Sequence, residues 1–201
     1  MAQAAATEHA INEARFALAK FRPTTLPDTL VVRPALHDQL TAGAGKRLTV
    51  VTGSAGVGKS VLLSSWAEAR ASQVTSWLSC DRADADPVRF WTGFIEAIRV
   101  VTPGFGADAI GLLMANRTMS DVIASIANDA AKLPAGSAII VDDFHAAEAA
   151  VLRDMTDLAE RWPAETAQLV LSSRSDPQVR LHKLRIAGEL CELRDRTCTS
   201  R

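Results

Sequence analysis

Short apolar runs alternate with longer stretches of helical periodicity along this chain of 201 residues. Runs rich in β-branched residues are typical of buried strands, whereas apolar residues every three to four positions are typical of helices. Five strands are predicted, of which the last is the weakest: Leu48–Thr52, Val74–Ser79, Ala138–Val141, Leu169–Ser172 and Glu189–Leu193. The helices predicted between them are Ser60–Arg70, Pro87–Val101, Ser120–Lys132 and Glu148–Trp162. This alternation indicates an α/β fold with a mostly parallel sheet and helices on both faces.

The two ends of the chain lack this alternation. Residues 8–20 have helical spacing, and prolines then interrupt the pattern before a short helix predicted over Pro34–Leu40. We therefore predict an N-terminal helical extension at residues 1–20 and one domain at residues 21–194. Residues 195–201 have no apolar period and are predicted to form a disordered tail.

The turn after the first predicted strand has the sequence GSAGVGKS, which fits the phosphate-binding pattern G-x-x-x-x-G-K-[ST]. Its glycines allow positive φ angles, so that successive N–H groups face one anion at the start of a helix. The pattern predicts that Lys59 reaches the β and γ phosphates of a nucleotide and that Ser60 ligates Mg²⁺. The predicted phosphate-contacting residues are Gly53, Ser54, Ala55, Gly56, Val57, Gly58, Lys59 and Ser60. A chance glycine-serine turn between a strand and a helix is the alternative.

Two carboxylates, Asp142 and Asp143, follow the third predicted strand, at the edge where open α/β sheets bind ligands. This is the Walker B arrangement. Asp142 is predicted to hold Mg²⁺ directly or through water, and Asp143 to orient or deprotonate a water near the γ phosphate. The alternative is a pair of aspartates that caps the next helix.

Polar residues also end the fourth predicted strand, where Ser172 and Ser173 precede Arg174. If this strand lies between the first and the third, its tip faces the γ phosphate. Arg174 is therefore a candidate sensor of that phosphate. The alternative is a solvated loop arginine.

Composition excludes several classes of function. The formal net charge is −1 and the basic residues are scattered, so direct DNA binding by this chain is not expected. Cys80, Cys191 and Cys198 are too few and too distant for a disulfide framework, which favours reduced thiols and a cytoplasmic location. Glu8 and Glu13 interrupt any secretory signal, and no run approaches the length of a membrane span.

Several stretches together resemble one protein family. The chain is similar to the nucleotide-binding domain of the large ATP-dependent LuxR-type transcription activators, relatives of the maltose regulon activator. That family lies within the signal-transducing ATPases with numerous domains (STAND). The resemblance covers residues 21–194 and rests on residues 30–36, the GSAGVGKS loop, residues 77–81 with Asp84, Asp86, Pro87 and residues 89–91, residues 139–145, and residues 171–177.

The resemblance implies a P-loop NTPase sheet of strand order 5-1-4-3-2 and a switch controlled by ATP and ADP. In such a switch the ADP form is inactive, ATP favours self-association, and slow Mg²⁺-dependent hydrolysis resets the protein. By matching position, Arg33 contacts the nucleotide, Asp142 is the magnesium ligand and Arg174 is the sensor; for Arg33, a helix-start arginine is the alternative. The sensor and DNA-binding domains of the family are absent from this sequence, which implies a truncated or excised fragment.

Two other interpretations stay open. An independent P-loop enzyme, such as a small-molecule kinase, needs an acceptor pocket and a lid rich in basic residues. The segment from Asp108 to Met119 offers only Arg117 for such a lid. An inactive remnant that keeps the fold without nucleotide binding is the third interpretation.

Overall fold

Five strands form one sheet in which every neighbouring pair is parallel. The computed structural model describes residues 16–194. The strands are β1 (Leu48–Thr52), β2 (Thr75–Ser79), β3 (Ser137–Asp142), β4 (Ala167–Ser173) and β5 (Leu190–Arg194). Their order across the sheet is β2-β3-β4-β1-β5. The predicted α/β class and the predicted order, counted from the other edge, are confirmed.

Within residues 16–194, seven α-helices connect and cover the strands. They are α1 (Pro34–Ala42), α2 (Lys59–Ala69), α3 (Pro87–Arg99), α4 (Ala107–Met114), α5 (Met119–Ala130), α6 (Glu148–Arg161) and α7 (Leu181–Ile186). Three short 3-10 helices occur at Leu18–Phe21, Arg82–Ala85 and Phe144–Ala146. Among these described helices, none is long and apolar enough to cross a membrane.

The sheet separates two apolar cores. Every residue of β1, β3 and β4 is buried, as expected for central parallel strands covered on both faces. The larger core contains an aromatic cluster on α3, in which the ring centroids of Phe90 and Trp91 lie 5.0 Å apart, edge to face. On the opposite face, Leu63 and Trp66 of α2 pack with Trp77 of β2. The prediction of helices on both faces is therefore confirmed.

The described start of the chain packs against the domain. The helix predicted over residues 8–20 lies outside the described residues as far as residue 15, and beyond it only the 3-10 turn Leu18–Phe21 is helical. Phe16 and Phe21 belong to the larger core, and the Lys20 ammonium group donates to Asp84 at 2.5 Å. Phe16 and Lys20 thus pack on the domain, whereas residues 17–19 are exposed. The boundary at residue 20 stays a prediction. The predicted tail at residues 195–201 lies outside the described residues.

Two helices, α4 and α7, are missing from the sequence-based prediction. Helix α4 buries Ala109 and Ile110. Helix α4 overlaps the segment from Asp108 to Met119 in which a kinase lid would lie. That part of the segment is therefore packed against the domain. Helix α7 has six residues. A helix of that length completes fewer than two turns, so its sequence carries little periodic signal.

A buried side chain, Gln168 of β4, links helix α1 to the sheet. Its amide nitrogen donates to the Leu40 carbonyl at 2.8 Å and to the Thr49 hydroxyl at 2.9 Å. Because Leu40 lies in α1 and Thr49 in β1, one side chain connects three elements. This link fixes the end of α1 relative to the strand that precedes the glycine-rich loop.

We predict that Gln168→Ala lowers the free energy of unfolding by about 2–3 kcal/mol, since it opens a cavity and leaves two buried acceptors without this donor. Urea denaturation followed by circular dichroism measures the change. The matched control is Gln178→Ala at an exposed position, for which a change within about 0.5 kcal/mol is expected. Equal unfolding midpoints for the two variants would contradict the structural role of Gln168.

Candidate functional site

The carboxyl ends of β1, β3 and β4 meet at one edge of the sheet. Thr52, the last residue of β1, pairs with Ser173 of β4, and Leu171 of β4 pairs with Val141 of β3. Because the three strands are parallel and adjacent, the segments that follow them emerge on the same side. The glycine-rich loop, the aspartate pair and the serine pair are therefore neighbours, as the sequence predicts for ligand binding at this edge.

The glycine-rich loop joins β1 to α2. The Gly53 amide donates to the Ser173 carbonyl at 3.3 Å, which fixes the start of the loop against β4. Gly56 and Gly58 have φ angles of 82° and 85°, in the left-handed region that favours glycine. Gly53 does not adopt positive φ, which corrects the expectation for that position. The hydrogen bond from the Gly53 amide to the Ser173 carbonyl continues the pairing of β1 with β4. The backbone of Gly53 therefore continues that of β1.

The first turn of α2 places two functional candidates. Helix α2 begins at Lys59, with Gly58 as its N-cap residue, and the N-terminal end of a helix carries partial positive charge. The buried Lys59 ammonium group donates to the carbonyl oxygens of Gly53 at 2.7 Å and Ser54 at 3.0 Å. Ser60 is half-buried in the same turn. The lysine charge, the helix end and a hydroxyl group thus lie at one loop.

Asp142 is the last residue of β3 and is only 3% exposed. Its Oδ1 atom accepts hydrogen bonds from the Ser172 hydroxyl and from the Asp143 amide, the latter at 3.0 Å. A buried carboxylate needs such partners, because a charge without them is costly to bury. The sequence identifies Ser172 only as one of two serines at the end of the fourth predicted strand. The structure brings it into direct contact with Asp142.

Asp143 differs from Asp142 in backbone conformation and exposure. It has φ 53° and ψ 36°, in the left-handed region, and its side chain is 42% exposed. Although it precedes the 3-10 helix Phe144–Ala146, its side chain makes no capping hydrogen bond. The capping alternative therefore does not describe Asp143. A carboxylate in this position is accessible to a ligand at the strand edge.

A cleft of about 610 Å³ opens beside the loop. A volume of this size is typical of small-molecule sites. Its walls come from the start of α1, the loop, α2 and the end of β5, and include Arg33, Leu36, Gln39, Lys59, Leu193 and Arg194. Arg33 is the N-cap residue of α1, as the helix-start alternative requires, but its side chain makes no capping bond. It shares the cleft with Lys59, and its contact with a nucleotide stays a prediction.

Arg174 stands apart from this cleft. It is the first residue after β4, and it is exposed. Among the described residues that line the cleft, Arg174 is not included. Its role as a sensor stays a prediction.

Arg194 is a cleft residue that the sequence reasoning missed, because it lies just beyond the last predicted strand, Glu189–Leu193. It is the last residue of β5, and it pairs with Asp176 and with Glu192, each at 2.8 Å. Hydrogen bonds from Arg185, and then from Arg194, lower the pKa of Glu192 from 4.5 to about 2. The only sequence signal was the weak strand pattern, which does not report ion pairs between distant segments.

Residues 77–84, which carry much of the family resemblance, make contacts within the fold. Trp77 is buried in β2, and its indole N–H donates to Ser79 at 2.8 Å. Asp81 and Asp84 form a reciprocal capping box on the 3-10 helix Arg82–Ala85, and both bind Lys20. Burial raises the pKa of the neighbouring Cys80 thiol well above its usual value, which disfavours the reactive thiolate. These residues stabilise the fold beside the candidate site.

The chemistry of the donor set fits Mg²⁺. Residues 16–194 contain no group of three or more His, Cys, Asp or Glu side chains arranged to hold a metal. Magnesium is commonly held by one or two protein oxygens together with phosphate oxygens and water. The Asp142 carboxylate and the Ser60 hydroxyl are oxygens of this kind, and both lie at the loop edge of the sheet.

Residues 42–175 match a protein family described as the AAA domain. Over 174 residues the chain is 30% identical to the HTH-type transcriptional regulator MalT of Cronobacter sakazakii and 29% identical to that of Klebsiella pneumoniae. Each alignment covers 86% of this chain and 19% of the relative. The chain therefore spans about a fifth of the length of these relatives.

Among solved structures, a crystal structure of a STAND protein with a tetratricopeptide repeat sensor from Pyrococcus horikoshii has a related fold. The TM-score is 0.55 at 16% sequence identity, and the match covers 86% of this chain and 24% of the other. At this level of identity the comparison supports the fold.

The ion pairs of Glu192 predict a specific pH dependence. Because the folded-state pKa of Glu192 lies below 4.5, its ionised form stabilises the folded protein above that pH, and this contribution disappears as the pH falls from 4.5 to about 2. We expect Glu192→Gln to lower the free energy of unfolding at pH 7 by about 1 kcal/mol or less, since solvent screens the group. Chemical denaturation from pH 7 to pH 2 measures the difference from wild type, which should vanish at the acid end.

The control for this measurement is Glu165→Gln at an exposed position after α6. It should follow the wild-type profile. A Glu192→Gln profile that runs parallel to wild type over the whole range would show that the ion pairs contribute nothing to stability.

Proposed function

We propose that this chain, which belongs to the AAA domain family, is an ATP- and ADP-binding switch module with slow Mg²⁺-dependent ATP hydrolysis. The observation that carries the proposal is the meeting of the glycine-rich loop and Asp142 at one edge of a parallel sheet, with β4 between them. A phosphate-binding loop and a metal-binding carboxylate are the two parts that every P-loop NTPase needs for a nucleoside triphosphate.

The loop is proposed to bind the phosphates. The N–H groups of residues 54–60 and the start of α2 would supply a hollow of positive potential. Lys59 contributes the nearest full charge and would exchange its bonds to the Gly53 and Ser54 carbonyls for phosphate oxygens. Arg33, in the same cleft, is proposed to contact the nucleotide beyond the phosphates.

Asp142 and Ser60 would hold Mg²⁺, which neutralises charge on the β and γ phosphate oxygens when it is bound. Asp143 is proposed to orient a water molecule and to accept its proton while the water oxygen attacks the γ phosphorus. The bond from that phosphorus to the β–γ bridging oxygen then breaks, which gives ADP and inorganic phosphate. The exposure of the Asp143 side chain supports this role, since a base must reach a ligand water.

A switch requires that ATP and ADP stabilise two conformations to different extents. The γ phosphate is the only group that distinguishes them, and Asp143 and Arg174 are the residues proposed to detect it. The loop from residue 174 to residue 180 leads from β4 towards α7 and carries Asp176, which pairs with Arg194 of the cleft. Arg174, which is proposed to contact the γ phosphate, is therefore close in sequence to Asp176, which pairs with Arg194 at the cleft.

We further propose that the module serves in a transcription regulator of the MalT kind, in which other domains sense the signal and bind DNA. The similarity to the nucleotide-binding region of those regulators supports this context. Self-association in the ATP form is the proposed output of this module. The nucleotide is its proposed ligand, and direct DNA binding is not assigned to these residues.

We predict that Lys59→Ala weakens ATP and ADP binding by about 100-fold or more. Removal of one charged partner in a buried site costs about 2–5 kcal/mol, and 1.4 kcal/mol is tenfold in affinity. Calorimetric titration with each nucleotide and Mg²⁺ measures the change. Lys132→Ala, which removes an exposed lysine paired with Asp129 on α5, should bind as wild type does. Unchanged affinity in the Lys59 variant would refute the assignment of the loop.

The second prediction separates hydrolysis from binding. Asp143→Asn should slow ATP hydrolysis by about 100-fold or more, because it removes the proposed base, and should leave ADP affinity unchanged. Phosphate release under single-turnover conditions measures the rate. Asp108→Asn, at an exposed position in the first turn of α4, is the matched control. A wild-type rate in the Asp143 variant would exclude Asp143 as the base.

A further inference from the structure

We propose that Ser172 is a positioning residue that fixes the orientation of the Asp142 carboxylate for Mg²⁺. This inference rests on the proposed function, because it concerns the metal that accompanies the nucleotide. The role assigned to Ser172 is distinct from the roles proposed for the glycine-rich loop and for the aspartate pair.

The contacts of Ser172 reach both aspartates. Its hydroxyl donates to Asp142 Oδ1, and the Asp143 amide lies 3.3 Å from the same hydroxyl oxygen and 3.0 Å from Asp142 Oδ1. Both donors to Asp142 therefore bind one oxygen, Oδ1, and neither bond uses Oδ2. An arrangement of this kind restricts rotation of the carboxylate and leaves its second oxygen for a cation or its water.

Burial strengthens this restriction. Ser172 is fully buried and Asp142 is 3% exposed, so little water competes for either group. A hydrogen bond to an ionised carboxylate is stronger than a neutral one, and more so in surroundings of low dielectric constant. The donor is held by the central strand β4 rather than by a loop, because the pairing of Val141 with Leu171 fixes the two strand ends relative to each other.

The neighbouring serine shows that the contact is not a general property of this strand end. Ser173 is also fully buried, and its hydroxyl has no hydrogen-bond partner in the described part of the chain. Successive residues of a strand point to opposite faces, so only one of the two hydroxyls can meet Asp142. The sequence pattern of two adjacent serines does not by itself tell which one this is.

Outer partners of metal ligands commonly contribute 10- to 100-fold to metal affinity, because they hold the ligand in its binding orientation. Ser172 touches neither the nucleotide nor the metal in this proposal and acts through Asp142. Its loss should therefore affect the magnesium-dependent part of nucleotide binding. Binding through the loop and Lys59 should remain.

The test compares Ser172→Ala with Ser137→Ala. Ser137 begins β3 at the opposite edge of the sheet, is equally buried, and donates to the Pro134 carbonyl at 2.6 Å. Both variants thus remove one buried, hydrogen-bonded hydroxyl from the sheet. For each, binding of a fluorescent ADP analogue is measured in EDTA and over a titration with Mg²⁺, and unfolding is measured by thermal denaturation.

We expect Ser172→Ala to raise the Mg²⁺ concentration for half-maximal effect by about tenfold, with nucleotide affinity in EDTA unchanged. Ser137→Ala should leave both quantities at the wild-type value, although both variants lower the melting temperature. If the Mg²⁺ titration of Ser172→Ala matches that of Ser137→Ala, Ser172 has only a structural role and the inference is wrong.

Failure of the inference can be told from failure of the proposed function. In the first case the wild-type protein still binds nucleotide in a Lys59-dependent manner; in the second, no lysine-dependent binding occurs in any variant. If Ser172→Ala does not fold, the same comparison is made with Ser172→Cys, which keeps a similar volume but donates only weakly. A wild-type Mg²⁺ dependence in that variant would equally overturn the inference.

Discussion

The candidate site depends on the parallel pairing of β1, β4 and β3. This ladder of backbone hydrogen bonds sets the ends of three strands at one level, so that the loop after β1 and the carboxylate at the end of β3 face each other across β4. A shift of one residue in either pairing would move every side chain of a strand to the other face of the sheet. The buried apolar cores on both faces oppose such a shift, because it would move side chains that are packed in one core into the other.

Buried polar groups then define the details of the edge. Asp142 is almost fully enclosed, and the hydroxyl and amide that bind its Oδ1 atom compensate the loss of water. Gln168 plays a comparable part at the end of α1, because its side-chain amide donates a hydrogen bond to the Leu40 carbonyl of that helix. In both cases β4 supplies the donor side chain. The central strand therefore positions the carboxylate on one side and the wall of the cleft on the other.

The cleft beside the loop is built from distant parts of the chain. Arg33 begins α1, Lys59 begins α2 and Arg194 ends β5, and each carries a positive charge that favours an anionic ligand. Their proximity follows from the position of β5 beside β1 at the edge of the sheet. On the far side of the sheet, Lys20 and Asp84 form a buried ion pair that fastens the start of the described chain to β2 and its following turn. The fold thus uses buried Lys20 for attachment and places three other positive groups around the cleft.

The sequence by itself determined the α/β class, the five strands, the loop from Gly53 to Ser60 and the position of Asp142 at a strand end. Those features depend on local periodicity and on a motif whose residue types have few other uses, so they can be read without knowledge of distant contacts. Only the tertiary structure decided that Ser172 and not Ser173 binds Asp142, that Arg194 lines the cleft, and that Phe16 and Lys20 pack onto the domain. The conformation of Gly53 and the short helices α4 and α7 also depended on it. Each of these features is set by side chains or strands remote in sequence, and their packing overrides local propensity.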